Sequence, residues 1–284
     1  MAGASMKEIK LRVKSVQSTM QITKAMELVA SSKLRRAKEN AERCRPFFDI
    51  LHQTLTDIAL TNRDFSSPYL VRRPVQKSCF VVIAGDRGLA GGYNSNVFKL
   101  AASQMSGKEA VVLPIGKKAV EYFSRHGFKL LSTQYASVEA IDNADCSEIA
   151  QVLTKGYRRG DFDELFVIYT NFVSMLVQDP AAMEILPIHD VRSSQSGQNA
   201  SGMILYEPSC EAVYNSIVPQ YTAGILFCAV AESLASELGA RRTAMESASK
   251  NAGEMIEDLN LRYNRARQGA ITQEITEIVA GAEH

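Results

Sequence analysis

The chain has 284 residues, 46% hydrophobic and 22% charged, an ordinary globular composition with apolar material for one or two cores, and its formal net charge of +1 gives no overall field for nucleic acid or an anionic membrane. Its 5 cysteines, Cys44, Cys79, Cys146, Cys210 and Cys228, are far apart with no CxxC or Cys/His ligand spacing, so they read as reduced thiols in a cytosol-like compartment. The longest apolar runs, such as residues 80–84 and 224–231, fall short of the roughly 18 needed to cross a bilayer, and the N-terminus resembles neither a secretion signal nor a transit peptide.

Charge is unevenly spread. Residues 6–45 carry 11 Lys or Arg against 4 Asp or Glu, a local balance of +7 that leaves −6 for the remainder. One end of the molecule therefore suits an acidic partner.

In chain order, Ser5 and Glu8 have the S-x-x-E form of a capping box, which predicts a helix start. An apolar stripe follows in steps of three and four: Met6, Ile9, Val13, Val16, Met20, Thr23, Met26, Ala30, Leu34, Ala37, Ala41, Cys44, Phe48, Leu51, Leu55 and Ile58. Pro46 removes a hydrogen bond, so the helix is expected to bend or break after Arg45. The pattern is lost over residues 61–74, a domain boundary. Short β-branched runs at 78–84, 110–115 and 164–170 then read as buried strands, with helices at 94–105, 117–126 and 146–159 between them. Asp179-Pro180 and Pro187 punctuate an expected strand pair at 175–177 and 184–188. Residues 192–202 read as a loop, and 203–206 as a last extended piece before Pro208 and a short helical turn.

From Pro219 to the end no proline intervenes, and small or apolar side chains recur at helical spacing through Tyr221, Ile225, Cys228, Ala231, Leu234, Leu238, Met245, Ala248, Ala252, Met255, Leu259, Ala266, Ala270 and Ile278. Pro219 suits the first turn and Gly281 the position past the end. At 1.5 Å per residue this helix spans about 90 Å, more than one domain core requires.

Two long striped helices thus bracket a compact insert. Neither can bury such a stripe on the insert, so they are expected to bury against each other, antiparallel because the insert carries the chain from the end of one to the start of the other. The fold class is α/β: a long antiparallel coiled coil of the N- and C-terminal helices plus an inserted Rossmann-like α/β domain. The expected division is 1–60 for the N-terminal helix, 75–206 for the α/β domain, and 208–284 for the C-terminal helix, whose end stands alone.

The motif GDRGLAGGYN at residues 85–94 sits where phosphate-binding loops sit, after a strand and before a helix. It lacks Lys-Ser/Thr after the glycines, and Gly85, Gly88, Gly91 and Gly92 miss the G-x-G-x-x-G spacing, so it reads as a tight strand-to-helix turn. His52, His126, His189 and His284 are scattered and form no catalytic or metal set, so no catalytic residue, cofactor or metal ligand is assigned. The basic run Lys33, Arg35, Arg36 and Lys38 has few aromatics interleaved and reads as a solvated helix flank rather than a nucleic-acid site. In residues 271–280, Ile271, Ile275, Ile278 and Val279 occupy much of the helix circumference. If that end stands alone, it calls for an apolar socket in another protein.

Three stretches carry a family resemblance: QITKAMELVASSKLRRA at 21–37, GDRGLAGGYN at 85–94, and ARQGAITQEITEIVAGA at 266–282. By these the chain resembles the gamma subunit of F-type ATP synthases, of bacterial type, along essentially its whole length. Gly85 stands where Ser is common in the family, and His284 where a small or basic residue is more usual.

The resemblance implies a central rotor shaft inside a ring of three alpha and three beta subunits, coupling ion flow in the membrane sector to ATP synthesis or hydrolysis on the ring. It implies no active site in this subunit, and an α/β insert near epsilon and the membrane c-ring, at the cytoplasmic face of the cell membrane, peripheral and bound only through partners. Carried over by motif, Lys24 and Met26 resemble the shaft residues facing the acidic lever of a beta subunit. Arg267, Gln268, Thr272 and Glu274 resemble residues that hydrogen-bond to beta-subunit loops, and Ile275, Ile278 and Val279 the bearing. Chloroplast relatives carry a regulatory cysteine pair in a short insertion; no pair is close in this sequence, so thiol control is not expected. Rival readings are a nucleotide-binding α/β enzyme dimerised by a coiled coil, and a static scaffold.

Overall fold

The computed structural model describes residues 6–61, 66–188 and 206–282. Ser5, the expected loop at 192–202 and most of the extended piece at 203–206 lie outside them. The chain divides into two compact units, one formed by residues up to Ser31 together with those from Arg241 onward, the other by Ser32–Ala240.

The larger unit is built on a five-stranded sheet. Strands β1 (Lys77–Ile83), β2 (Glu109–Ile115), β3 (Lys129–Leu130), β4 (Glu164–Phe172) and β5 (Gln178–Leu186) lie in the order β3-β2-β1-β4-β5. The first four are parallel, and β5 runs antiparallel to β4. The order 3-2-1-4 is that of a doubly wound Rossmann-like sheet. Side chains of β1 alternate between its two faces, as the period of two demands. Phe80, Val82 and Ala84 join Val97, Ala101 and Met105 of α2 (Tyr93–Met105) and Ala119 and Phe123 of α3 (Lys117–Arg125) on one side. Cys79, Val81 and Ile83 join Cys146, Ile149 and Leu153 of α4 (Asn143–Arg159) on the other.

That second face also receives the long helices α1 (Met6–Thr61) and α5 (Cys210–Ala282). Leu55, Ile58 and Ala59 of α1 and Tyr214, Val218, Tyr221, Ile225, Leu226 and Val230 of α5 belong to the same core as α4 and the sheet. The expectation that the long helices bury only against each other is therefore corrected: their inner parts share a core with the insert. One stretch of α5 is long and apolar enough to cross a membrane, yet 83% of it is buried within the fold, where the sheet uses its apolar surface.

Several boundaries differ from the sequence reading. Helix α1 runs unbroken through Pro46, and α5 begins at Cys210 and runs through Pro219. Burial of Cys44, Leu55, Val218 and Tyr221 on either side of the two prolines offsets the lost backbone hydrogen bonds. Helix α4 starts at Asn143, ahead of the expected start, because Asp142 and Asp145 form a capping box, each carboxylate accepting the other's backbone N–H at 2.9 and 3.1 Å. Residues 175–177 are not a strand. The Ser174 hydroxyl accepts from Leu176 and Val177 N–H, closing a turn, and β5 then runs as one strand through Asp179 and Pro180. Pro180 is tolerated there because β5 is an edge strand.

In the smaller unit the start of α1 and the outer part of α5 pair antiparallel. The hydroxyls of Thr23 and Ser249 meet at 2.7 Å, while Lys10, Leu11 and Lys14 share a groove with Asn260 and Tyr263, so the partners step in opposite directions. Ile9, Ala30, Met245, Ala252 and Leu259 are buried. Met255, expected on this stripe, is 46% exposed and Ile256 is half-buried in its place.

Candidate functional site

The loop 85–94 leaves the carboxyl end of β1, at the point where the strand order turns from β1 to β4, the usual ligand crevice of such sheets. Its polar groups are engaged internally. Gly85 N–H donates to Asn94 Oδ1 at 2.8 Å and Gly85 carbonyl accepts from Lys118 N–H at 3.0 Å. The Asp86 carboxylate accepts from the N–H groups of Val138 and Lys117 and from the Ser137 hydroxyl, and Asn94 Nδ2 donates to the Arg87 carbonyl. Leu89 and Gly91 take positive φ, 63° and 57°, in the turn.

Helix α5 reaches this crevice. A Cβ on Gly85 would lie 2.6 Å from Glu237 Oε1, so glycine at this position makes room for a carboxylate that is itself 4% exposed. Ser233 accepts the Thr170 N–H and Ser236 donates to the Thr170 carbonyl, tying α5 to β4. Burial first, and then the Glu237 charge, push the Tyr93 phenol up, with the Ser233 hydrogen bond acting the other way. A buried carboxylate against the loop repels a phosphate, the reverse of what a nucleotide site requires. The loop is a joint between the sheet and α5.

The remaining sequence-assigned residues lie on the helix pair. Lys24 is exposed and its ammonium meets both oxygens of Glu27 at 3.0 Å, with the Glu27 carboxylate mostly buried. Met26 is half-buried on the stripe that carries Thr23 and Ala30, so Lys24 and Met26 point in different directions. Among the basic run, Lys33 pairs with Glu139 at 2.8 Å and Lys38 with Glu42 at 3.6 Å, which uses two of its charges within the fold.

On α5, Arg267, Gln268, Thr272 and Glu274 are exposed. The Thr272 hydroxyl donates to the Gln268 carbonyl and Thr276 to the Thr272 carbonyl, while Gln273 donates to Glu277, all within the helix. Ile271, Ile275, Ile278 and Val279 are 48%, 57%, 71% and 55% exposed, and each residue from 271 to 279 is exposed. No described residue covers this segment. A feature that the sequence reading missed is a groove of about 700 Å³ lined by Lys7, Lys10, Leu11, Val13, Lys14, Gln17, Asn260 and Tyr263. Lysines at positions 7, 10 and 14 share one helix face, a spacing that was legible within the charged segment already noted.

Comparison with known proteins agrees over the full length. The family model described as ATP synthase matches residues 5–284. The ATP synthase gamma chain of Ruminococcus albus is 50% identical over 280 residues, covering 97% of this chain and 96% of that one. The sodium ion specific ATP synthase gamma chain of Acetobacterium woodii is 39% identical over 296 residues, covering 98% of each. Among solved structures, a chain of the Euglena gracilis mitochondrial ATP synthase rotor superposes with a TM-score of 0.62 at 20% identity, covering 94% of this chain and 98% of that one. A chain of the Tetrahymena thermophila mitochondrial ATP synthase central stalk and c-ring gives 0.60 at 22% identity, covering 80% and 99%. The two structures share the fold, and the near-complete sequence matches carry the assignment: this chain belongs to the ATP synthase gamma-chain family.

Proposed function

We propose that the chain is the central rotor shaft of an F-type ATP synthase and acts without a catalytic centre of its own. It couples ion flow through the membrane sector to ATP synthesis or hydrolysis on a ring of three alpha and three beta subunits. The observation that carries this reading is the uncovered segment 271–279, where Ile271, Ile275 and Ile278, spaced by four and three, form with Val279 one apolar helix face open to solvent, narrower than the span expected from the sequence. A contiguous exposed apolar face of this kind marks a surface that another protein covers. Ile275, Ile278 and Val279 form the bearing, and Arg267, Gln268, Thr272 and Glu274 offer hydrogen-bonding groups to surrounding loops. Lys24, 59% exposed although paired with Glu27, exchanges that partner for a passing acidic lever, and Met26 supports it from the stripe. Exposed ion pairs are worth about 0–1 kcal/mol each, weak enough for the contact to be remade as the shaft turns. The α/β insert engages epsilon and the c-ring, which places the subunit peripherally at the cytoplasmic face of the membrane.

The rival nucleotide-binding reading is opposed by Glu237 lying against Gly85 in the expected crevice. Reconstitution with alpha and beta subunits and the membrane sector tests the proposal. Removing residues 271–284 is expected to lower the ratio of ion pumping to ATP hydrolysis, whereas an unchanged ratio would support the static scaffold instead.

A further inference from the structure

The antiparallel register of α1 and α5 brings together cysteines that are remote in sequence. Within the larger unit, Leu34 and Ala37 pack on Ala235 and Leu238, and His52 Nδ1 lies 3.1 Å from the Tyr221 hydroxyl oxygen. Between these two contacts, Cys44 stands seven residues after Ala37 and Cys228 seven before Ala235, two helical turns along each strand of the pair. The register therefore sets them opposite one another. Cys44 is buried, its thiol donates to the Asn40 carbonyl at 3.0 Å, and its sulfur is also hydrogen-bonded with the Cys228 side chain. Cys228 is half-buried, so of the two residues it is the one open to solvent.

We propose that Cys44 and Cys228 form a dithiol that closes to an intramolecular disulfide, stapling α1 to α5, with a small-molecule disulfide as oxidant. The chemistry is thiol–disulfide exchange in two steps. Cys228 loses its proton and attacks one sulfur of the oxidant, forming a mixed disulfide; the departing small thiolate takes up a proton. Cys44 then loses its proton and attacks Cys228 Sγ, forming the protein S–S bond and releasing the second small thiol. Two cysteines are oxidised by two electrons in all, and one small disulfide is reduced to two thiols. Burial pushes the Cys44 thiol up, so its thiolate is scarce near neutrality and the closing step quickens as pH rises. Cys79 and Cys146 are fully buried in the sheet core and have no exposed partner in the first step.

The test is to incubate the full chain with oxidised glutathione at mildly alkaline pH, digest it without reduction and map the peptides by mass. The expected product joins the Cys44 and Cys228 peptides, is lighter than their sum by two hydrogens, and separates on reduction. Cys44→Ser should stop at a glutathione adduct on Cys228, and Cys146→Ser should still form the link; circular dichroism of the reduced variants checks that each is folded. A link from Cys44 to Cys146, a wild-type chain that accumulates only glutathione adducts, or one that stays unmodified would each overturn the proposal.

Discussion

Two parts of the single helix α5 meet opposite surroundings. Over residues 221–226 every side chain is buried, because the sheet, α4 and α1 close around the helix from several directions. Over residues 271–279 every side chain is exposed, although isoleucine and valine recur there as they do in the buried part. Hydrophobicity of a segment reports that it needs cover, not where the cover comes from. In the inner part the chain supplies that cover itself, and in the outer part no described residue does.

Mutation of the isolated chain should separate the two parts sharply. Leu226→Ala removes a side chain with 0% exposure and is expected to cost about 2–5 kcal/mol, through lost transfer energy and the cavity left behind. Denaturant unfolding of the isolated chain measures it, and a loss under about 1 kcal/mol would mean that the inner part is not the core described. The joint at the crevice comes next. Gly85→Ala sets a Cβ against Glu237, whose buried position leaves little room to retreat, for a loss of about 1–3 kcal/mol. Glu237→Ala in that background should recover part of it, and additivity in a double-mutant cycle would break the link between loop and helix.

Smaller effects follow in the outer unit. Thr23→Val breaks the hydroxyl pair with Ser249 and is expected to cost about 0.5–1.5 kcal/mol. The least effect is expected at Ile278→Ala, within about 0.5 kcal/mol of the parent, since the side chain is 71% exposed. In the assembled enzyme the same substitution should lower coupling if the tip is a bearing. A substitution silent in the free chain and costly in the complex is the sharpest form of the contrast between the two parts.

The stripe of α1 was legible because it is a local pattern: Ile9, Ala30, Leu34, Ala37, Cys44, Leu55 and Ile58, spaced by helical turns, are all buried. The three central strands were equally plain from their β-branched runs. What misled was punctuation. Pro46 and Pro180 looked like breaks and Pro219 like a helix start, and each is carried inside an element because neighbouring burial or an edge position outweighs the local penalty. The acidic capping box at Asp142 and Asp145 is a local signal too, and it sets the start of α4 ahead of the apolar residues that follow it. The residues of 267–279 named from the motif are all exposed, while Met26, which the motif pairs with Lys24, is half-buried on the stripe where the periodicity puts it.

The amino-acid sequence by itself determined the three central strands, the two striped helices, the antiparallel sense imposed by an insert between them, and family membership, because these rest on periodicity, chain connectivity and residue identity. Only the tertiary structure decided that inner α5 shares a core with the sheet, that Glu237 fills the crevice beside Gly85, and that Cys44 faces Cys228. Each of these depends on which distant segments pack together, and a pairing across well over a hundred residues leaves no local trace in side-chain spacing.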